Sequence, residues 1–406
     1  MFRTHVPIML LTLTILLTGT AFGAENDGYI YGSITTRDGD TYTGTMRWGK
    51  QEVFWDDLFN ASKDGNPWLR YLPNDTRDHD RGDKNFTLFG IRIHGGGWIA
   101  SEHLFICQFG EIKSIKNRRN GRATLTMKND SEVDVTSGGD IDVKIRMIDE
   151  NLGTLNIDWD NIRTIDFKDT PKDAKSDGYR LRGKVITYEK EFDGFVMWDA
   201  EECISSDVLD GESDNGDMEI EFGNIRSIKR MNRRSCLVTL KDGREFKLRG
   251  TNDVNEDNRG IYVWDDRYGK TEIGWNELQE VIYQDKDGSG KGYDAYKAGD
   301  KLKGTVKTVD GGVFEGDIVY DLDEAEGYEI LNGSLDDMEF NIPFHMVKSI
   351  TPKGRHAAVV ELRNGEKLRL EDGQDVSDSN DGILIFMGKG NEEYVVWDDV
   401  ETVIFK

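Results

Sequence analysis

The segment that begins at Asp285 has the spacing of a calcium-binding loop. Asp285, Asp287 and Ser289 supply oxygen atoms at positions 1, 3 and 5, and Gly290 takes the glycine position at 6. Tyr296 stands at position 12, where such loops carry a glutamate that binds the ion through both oxygens. We therefore expect a weak calcium site here, or an acidic flexible linker without a metal. The sequence indicates no other cofactor.

Tryptophan rings stack on sugars, and the chain has nine tryptophans. Three of them recur at one position of a repeated pattern described below: Trp159, Trp275 and Trp397. A position that is repeated in this way predicts core residues. Trp55, Trp68 and Trp98 fall outside the pattern, which makes them the candidates for contact with a ligand. The alternative for these three is packing within a long loop.

No set of residues matches a known catalytic pattern. The His-Gly-Gly-Gly run at 94–97 is similar to the oxyanion-hole turn of esterases, but the chain has no Gly-x-Ser-x-Gly nucleophile motif. His79, His94 and His103 gather in one segment, and their spacing matches no metal site, so we expect solvated loop histidines. With 77 acidic residues, chance carboxylate pairs are inevitable and carry no weight. We therefore assign no catalytic residue.

The first residues have the organisation of a secretory signal peptide. An apolar stretch over 6–17 is followed by small residues, with Ala21 and Gly23 at the −3 and −1 positions of a cleavage site. We expect removal of residues 1–23 and a product that starts at Ala24. That product would be periplasmic or secreted, without a transmembrane segment.

The charge balance limits the partners of the chain. Its 52 Lys and Arg stand against 77 Asp and Glu, a formal net charge of −25. Affinity for polyanions depends on basic side chains that neutralise phosphates, so nucleic acid is not expected as a partner. An oxidising compartment permits at most one internal disulfide, because there are only three cysteines: Cys107, Cys203 and Cys236. Whether one forms stays open.

One short pattern recurs six times and dominates the organisation of the chain. An aromatic residue is followed by aliphatic residues three and six positions later, as in Phe222, Ile225 and Ile228. The six aromatic residues alternate between phenylalanine and tryptophan: Phe109, Trp159, Phe222, Trp275, Phe344 and Trp397. The repeating unit is thus a pair of modules that occurs three times. We expect these side chains to be buried, with a one-turn 3₁₀ corner between two strands at each aromatic.

Other signals are typical of β-hairpins. In 238–248 and 360–370, apolar and polar residues alternate on each side of Asp-Gly or Asn-Gly, which predicts two-residue turns. The first copy, 125–135, keeps the alternation and has Asp130 where the others have glycine. No stretch has a convincing helical period, so the chain is predicted to be all-β.

Four to five short strands per module, with a 3₁₀ corner, resemble the small barrels of the SH3-like and Sm-like type. The chain is also similar to exported bacterial repeat proteins of unassigned activity. The resemblance implies six small β-barrel modules, paired as three repeats over 24–168, 178–284 and 298–406, with an insertion at 56–99. The RNA binding of Sm-like barrels is not carried over, because this chain is acidic. A six-bladed β-propeller is the alternative, although the repeated aromatics are unevenly spaced, 50 to 69 residues apart.

These observations predict a non-enzymatic exported interaction or scaffold protein whose repeated barrels present loops to a protein or envelope partner. The alternative is a carbohydrate-binding or carbohydrate-active protein that uses the 56–99 insertion. A deep cleft with converging carboxylates or histidines from that insertion would favour an enzyme. The identity of the partner and the oligomeric state do not follow from the sequence.

Overall fold

The computed structural model describes residues 26, 28–73, 84–88, 91–95, 103–136, 138–286 and 288–406. The predicted signal peptide, Trp98 and Asp287 lie outside these residues. Within them the chain is all-β, as predicted, with short 3₁₀ helices between strands. None of its described helices is long and apolar enough to cross a membrane.

The first unit (28–168) contains a ten-stranded antiparallel sheet and a separate two-stranded hairpin, β4–β5. Its strands are β1 (Tyr31–Thr36), β2 (Thr41–Trp48), β3 (Leu58–Lys63), β4 (Lys84–Leu88), β5 (Ile91–Gly95), β6 (Leu104–Gln108), β7 (Ile112–Arg119), β8 (Arg122–Met127), β9 (Glu132–Thr136), β10 (Ile145–Asp149), β11 (Gly153–Ile157) and β12 (Ile162–Phe167). Its 3₁₀ helices are Pro67–Tyr71, Phe109–Glu111 and Trp159–Asn161.

The second unit (178–284) has ten strands and no counterpart of the extra hairpin in its described residues. They are β13 (Arg182–Thr187), β14 (Glu191–Met197), β15 (Val208–Ser213), β16 (Gly216–Glu221), β17 (Ile225–Asn232), β18 (Ser235–Leu240), β19 (Glu245–Arg249), β20 (Ile261–Asp265), β21 (Gly269–Ile273) and β22 (Leu278–Tyr283). Its 3₁₀ helices are Phe222–Asn224 and Asn252–Val254, and Tyr293–Ala295 follows in the linker.

The third unit (298–406) repeats this set. Its strands are β23 (Lys303–Thr308), β24 (Val313–Val319), β25 (Ile330–Leu335), β26 (Met338–Pro343), β27 (Val347–Pro352), β28 (Ala357–Leu362), β29 (Lys367–Glu371), β30 (Ile383–Phe386), β31 (Glu392–Val395) and β32 (Val400–Phe405). Its 3₁₀ helices are Phe344–Met346, Gln374–Val376 and Trp397–Asp399.

All three units have the same strand order. In the second unit the order is β21-β20-β14-β13-β22-β17-β18-β19-β15-β16, and corresponding strands follow it in the other two. The N-terminal hairpin of each unit therefore pairs with its C-terminal strands, and the five middle strands pair with one another.

This interleaving differs from the predicted arrangement of six consecutive barrels. The two large sheets are not closed, and β21 of the second unit pairs with β26 of the third, so six separate barrels are not confirmed. The same pairings do not divide into six four-stranded blades. The residue pattern marks where strands begin and end, but not which distant strands become neighbours.

The repeated aromatic pattern forms the cores, as predicted. Its aromatic and aliphatic side chains are all buried, and five of the six aromatics start a 3₁₀ helix. The exception is Trp275, which lies in a turn before β22. Each 3₁₀ turn redirects the chain between two strands, so that the aromatic and the following aliphatics point into one core.

The hairpin turns are longer than predicted. At the β18–β19 turn, the amide of Leu240 donates to the carbonyl of Arg244 at 2.8 Å, which leaves three residues between the paired positions. Only Gly243 takes the left-handed conformation there, with φ of 91°. This is a type I turn followed by a glycine bulge. In the first unit Asp130 adopts φ of 63° at the equivalent place, a conformation that aspartate tolerates better than most residues.

A pair of facing glycines recurs in the N-terminal hairpin of each unit. In the second unit Gly183 faces Gly194 across β13 and β14. A Cβ atom on Gly194 would lie 1.9 Å from the carbonyl oxygen of Trp264, and the equivalent glycines are equally crowded. Only glycine allows β14 to lie this close to β20, where the hairpin crosses the C-terminal strands.

The later part of the linker, 288–296, packs against the first unit. The ring of Tyr296 is buried, and the amino group of Lys128 lies 3.2 Å from the ring centroid of Tyr293. Ser289 accepts a hydrogen bond from the amide of Gly28 at 2.8 Å. This part of the linker thereby contacts the first unit as well as connecting the second unit to the third.

Candidate functional site

The residues that distinguish the first unit from the other two lie between β3 and β6. Strand β3 corresponds to β15 and β25, so 58–63 belongs to the common framework, and the true insertion starts after Lys63. Where the second unit connects the same strands by a tight turn, the first has the 3₁₀ helix Pro67–Tyr71 and the β4–β5 hairpin. The predicted insertion at 56–99 therefore began some residues too early.

The 3₁₀ helix of the insertion is fixed onto the third unit. Asn66 caps the helix, because its side-chain oxygen accepts from the amide of Trp68 at 2.8 Å, and its side-chain nitrogen donates to the carbonyl of Leu322 at 2.9 Å. Leu72 is buried in a small apolar cluster with Val319 and other residues of the third unit. One asparagine thus sets both the start of the helix and its position on the neighbouring unit.

A groove of about 500 Å³ lies between this helix and the third unit. Three half-buried aromatic residues, Trp68, Tyr71 and Phe386, line it. The rings of Tyr71 and Phe386 meet edge to face with centroids 5.0 Å apart, and Trp68 lies 6.0 Å from Phe386. Charged residues complete the lining: Lys301, Asp317, Glu326 and Lys389. Of the three predicted ligand-contact residues, Trp68 is therefore placed at an open groove. Trp98 lies outside the described residues.

The third candidate tryptophan is placed differently. Trp55 is fully buried, its ring lies 4.5 Å from that of Tyr293, and its indole N–H donates to the hydroxyl of Thr170 at 3.0 Å. It packs the linker against the first unit. This position favours the alternative of local packing over contact with a ligand.

The predicted calcium-loop residues are in opposite environments. The side chain of Asp285 is 99% exposed and pairs loosely with Lys241 at 3.7 Å. Ser289 is buried, its hydroxyl is used by Gly28, and its carbonyl accepts from Arg180 at 3.1 Å. Two of the three proposed ligands are thus not arranged around one ion. Asp287 lies outside the described part of the chain, so calcium at this loop stays a prediction.

A second cleft, of about 350 Å³, opens where the linker and all three units meet. Its walls include Phe195, Trp264, Lys270 and Met346. Arg180 lies behind it and holds the junction together, with its guanidinium 2.7 Å from Asp56 and 3.9 Å from the ring centroid of Phe195.

A smaller cavity of about 30 Å³, enough for one water molecule or ion, lies between the first and third units. Lys63 of the first unit reaches its wall, with Nζ 2.5 Å from Oδ1 of Asp323 and 2.8 Å from Oε1 of Glu329. His103 adds a contact of 3.2 Å between Nδ1 and Oδ2 of Asp323. The expectation that His103 is a solvated loop residue is wrong, because the residue is only 7% exposed. Its position depends on the contact between units, which the local sequence does not encode.

The opposite charges on this wall stabilise one another. Although burial favours neutral side chains, the charges of His103 and Lys63 lower the pKa of Asp323 to about 2. In turn, Asp323 raises the pKa of His103 against the effect of burial. The two basic groups and two acids, Asp323 and Glu329, thus form a buried ionic contact that joins two units.

The opposite wall carries three buried acids, Asp321, Glu324 and Asp375, whose oxygens lie within 4.8 Å of one another. None of them has an ion-pair partner among the described residues. Burial and neighbouring carboxylates raise the pKa of Asp321 and Glu324 well above the ordinary range, and burial raises that of Asp375 to about 7. Sequence reasoning missed these residues. The signal was an aromatic followed by glutamate four positions later, which recurs at Trp48, Trp198 and Tyr320.

Comparisons with protein-family models, with curated proteins and with solved structures found no match for this chain.

Proposed function

We propose that this chain is a non-enzymatic exported protein that acts by binding, and that the groove between the 3₁₀ helix Pro67–Tyr71 and the third unit is its binding surface. The observation that carries the proposal is the half-buried trio of Trp68, Tyr71 and Phe386 in an open groove. Aromatic residues that are partly exposed and held in place are the usual anchors of interfaces.

The rigidity of the groove supports this assignment. Leu72 and the cap at Asn66 hold one wall on the third unit, so its aromatics are ordered before a partner arrives. Preorganised side chains lose less conformational entropy on binding than mobile ones do. A framework that is repeated three times and carries one added element supports the proposed scaffold role.

A carbohydrate is the second candidate ligand. Sugars combine apolar faces with hydroxyl groups, and this groove combines the rings of Trp68 and Tyr71 with charged residues at its edge. One of these, Glu326, has its pKa raised to about 7, mainly by burial and then by Glu329. Such a carboxyl group can accept or donate a hydrogen bond near neutral pH.

We also infer that each unit is a nested pair of SH3-like barrels. The five strands β13, β14, β20, β21 and β22 would form one, and the consecutive strands β15 to β19 the other. The 3₁₀ turns at Phe222 and its equivalents support this interpretation, as do the strand orders within each set.

The binding proposal is tested by Trp68→Ala, with Tyr188→Ala as the matched control. Tyr188 is an exposed aromatic residue of the second unit, far from the groove in sequence and 59% exposed. The purified variants are compared on an array of polysaccharides and in affinity capture from the envelope or medium of the native host. For a partner or sugar bound in the groove, Trp68→Ala weakens binding about thirty-fold, roughly 2 kcal/mol, and Tyr188→Ala does not.

Either kind of ligand with this dependence supports binding through the groove. Loss of sugar binding identifies the second candidate, and loss of a protein partner identifies the first. Binding that is unchanged in Trp68→Ala contradicts the assigned surface, and chemical turnover of a bound ligand contradicts the non-enzymatic role. N-terminal sequencing of the exported protein checks cleavage before Ala24.

A further inference from the structure

The acid cluster of the third unit has equivalents that show how it is unusual. The second unit has the same residue types at the same places: Asp199, Glu202 and Asp253 correspond to Asp321, Glu324 and Asp375. In both units the first aspartate directly follows a large buried aromatic residue, Trp198 after β14 and Tyr320 after β24, and both aspartates adopt left-handed conformations, with φ of 48° and 51°. The two clusters thus share one backbone frame.

The two clusters differ in how their charge is compensated. Arg259 binds Asp199 in the second unit, with Nη2 2.6 Å and Nε 3.1 Å from Oδ2. In the third unit the equivalent residue is Asp381, whose backbone amide also donates to the first aspartate but whose side chain is acidic. A guanidinium in one unit is replaced by a carboxylate in the other. Within the described residues, the third cluster therefore has no counterpart of the Arg259–Asp199 ion pair.

Basic groups from the first unit do not supply it. His103 lines the cavity and Lys63 contacts its wall, and both are engaged with Asp323, Lys63 also with Glu329. Among the described residues, no basic side chain forms an ion pair with the three buried carboxyl groups on the other wall. Ionised carboxylates in such a position are stable only beside a cation.

Two unpartnered polar atoms point to a missing ligand. Oε2 of Glu324 is buried and accepts no hydrogen bond from the described residues, and Glu324 is 92% buried. Nε2 of His103, which lines the same cavity, is also buried without a partner there. Asp321 and Asp375 each use one oxygen, to accept from the amides of Asp381 and Asn332. Each of them leaves its second oxygen available.

We propose that this cavity binds one divalent cation, calcium, through Asp321, Glu324 and Asp375. All three donors are carboxylate oxygens, which hard cations such as calcium prefer and which are poor ligands for soft metals. Three oxygens within 4.8 Å of one another lie within about 2.8 Å of a common centre, so small side-chain adjustments bring them to the usual calcium–oxygen distance of about 2.4 Å. Gln374 and Asn332 line the cavity and offer further oxygen atoms, and a water molecule can complete the shell.

Calcium here would join two segments of the third unit at its contact with the first unit. The ion would fix the turn after β24 to the 3₁₀ helix Gln374–Val376, beside the wall that Lys63 and His103 of the first unit reach. It would also remove the repulsion among the three acids. This site is separate from the loop at Asp285 and from the groove at Trp68, so its test does not depend on the proposed function.

The test is calorimetric titration of the chelator-treated chain with calcium, comparing the wild type with Glu324→Gln and with Glu202→Gln. The last variant makes the same change at the equivalent place in the second unit, where Arg259 pairs with the neighbouring Asp199. We expect one calcium ion per chain, at least tenfold weaker binding in Glu324→Gln, and unchanged binding in Glu202→Gln. Melting temperature is the second readout, because calcium at 1 mM should raise it in the wild type and in Glu202→Gln only.

Several results would overturn the proposal. They are the absence of calcium binding at 1 mM, equal affinity in Glu324→Gln, equal loss in both variants, or binding of zinc but not calcium. Asp321→Asn provides a second variant should Glu324→Gln fail to fold, and it is expected to show the same loss. Neutral amides fit where raised pKa values already favour neutral acids, so both variants should melt no lower than the wild type without calcium.

Discussion

Arg180 joins the first unit, the second unit and the linker, and its removal should destabilise the whole chain. Its side chain is 2% exposed, Nη1 donates to Oδ2 of Asp56 at 3.0 Å, and Nη2 lies 2.7 Å from Oδ1. Nη1 also donates to the carbonyl of Ser289 at 3.1 Å. The guanidinium lies 4.1 Å from the ring centroid of Phe54. No other basic group is as deeply buried in the part of the chain that the structure describes.

Two replacements separate its charge from its shape. Arg180→Met leaves the carboxylates of Asp56 and Asp57 without their base, and loss of one partner of a buried ion pair costs about 3 to 5 kcal/mol. Arg180→Lys keeps the charge but gives up the two-point contact and the flat stacking, so about 1 to 3 kcal/mol is expected. Arg244→Met is the control, because Arg244 is exposed and its ion-pair partner among the described residues is the exposed Asp242, a contact that contributes little to stability.

The effect should also depend on pH. Burial raises the pKa of Asp57 to about 6, against the lowering effect of Arg180. Without Arg180 that pKa rises further, so the folded variant binds a proton that the unfolded chain releases, and stability relative to the wild type falls as pH rises from 5 to 8. Urea unfolding at both pH values measures this. A loss below about 1 kcal/mol in Arg180→Met, or equal losses in Arg180→Met and Arg244→Met, would refute the assigned role.

Three further predictions follow from the cores and the buried acids. Trp275→Ala should lower the free energy of unfolding by about 3 to 5 kcal/mol, because the ring fills a core, and a loss below about 1 kcal/mol in urea unfolding would contradict this. Gly194→Ala should destabilise the protein more than Gly243→Ala does. A Cβ atom at 194 would meet a carbonyl oxygen at 1.9 Å, whereas one at 243 would meet no atom within 4 Å. Equal melting temperatures of the two variants would argue against the close approach of β14 and β20. Burial and nearby carboxylates raise the pKa of Glu202 to about 9. Between about pH 5 and 9 the folded state therefore holds a proton that the unfolded state has lost, so the stability of the wild type falls as pH rises through this range. Glu202→Gln should flatten this slope by up to about 1.4 kcal/mol per pH unit, and melting curves with the same slope in both proteins would disprove the assignment.

The local signals of the sequence predicted local structure well. The buried aromatic and aliphatic positions, the 3₁₀ corners and the all-β class follow from spacing, because each depends on residues a few positions apart. The sequence pattern predicted the position of the turn at Gly243 correctly, but the predicted turn was one residue too short. Asp130 shows how a single residue can take the place of glycine.

Features that depend on distant contacts were not predictable in the same way. The interleaving of hairpin β13–β14 with β20 to β22 brings together strands separated by more than sixty residues, and the pattern of each strand is compatible with several partners. The same reason explains His103, which is buried only because the third unit covers it. Likewise, the sequence near Asp285 resembles a calcium loop, whereas the three clustered acids come from segments about fifty residues apart.

Hydroxyl-radical footprinting of the protein with and without its captured ligand tests the central claim, that the chain binds through the groove of the third unit. The account predicts that oxidation of Trp68, Tyr71 and Phe386 falls at least several-fold in the complex, while Tyr188 is oxidised equally in both states. Unchanged oxidation of the three groove residues, with protection instead at Phe195 and Trp264 in the cleft between the units, would contradict it.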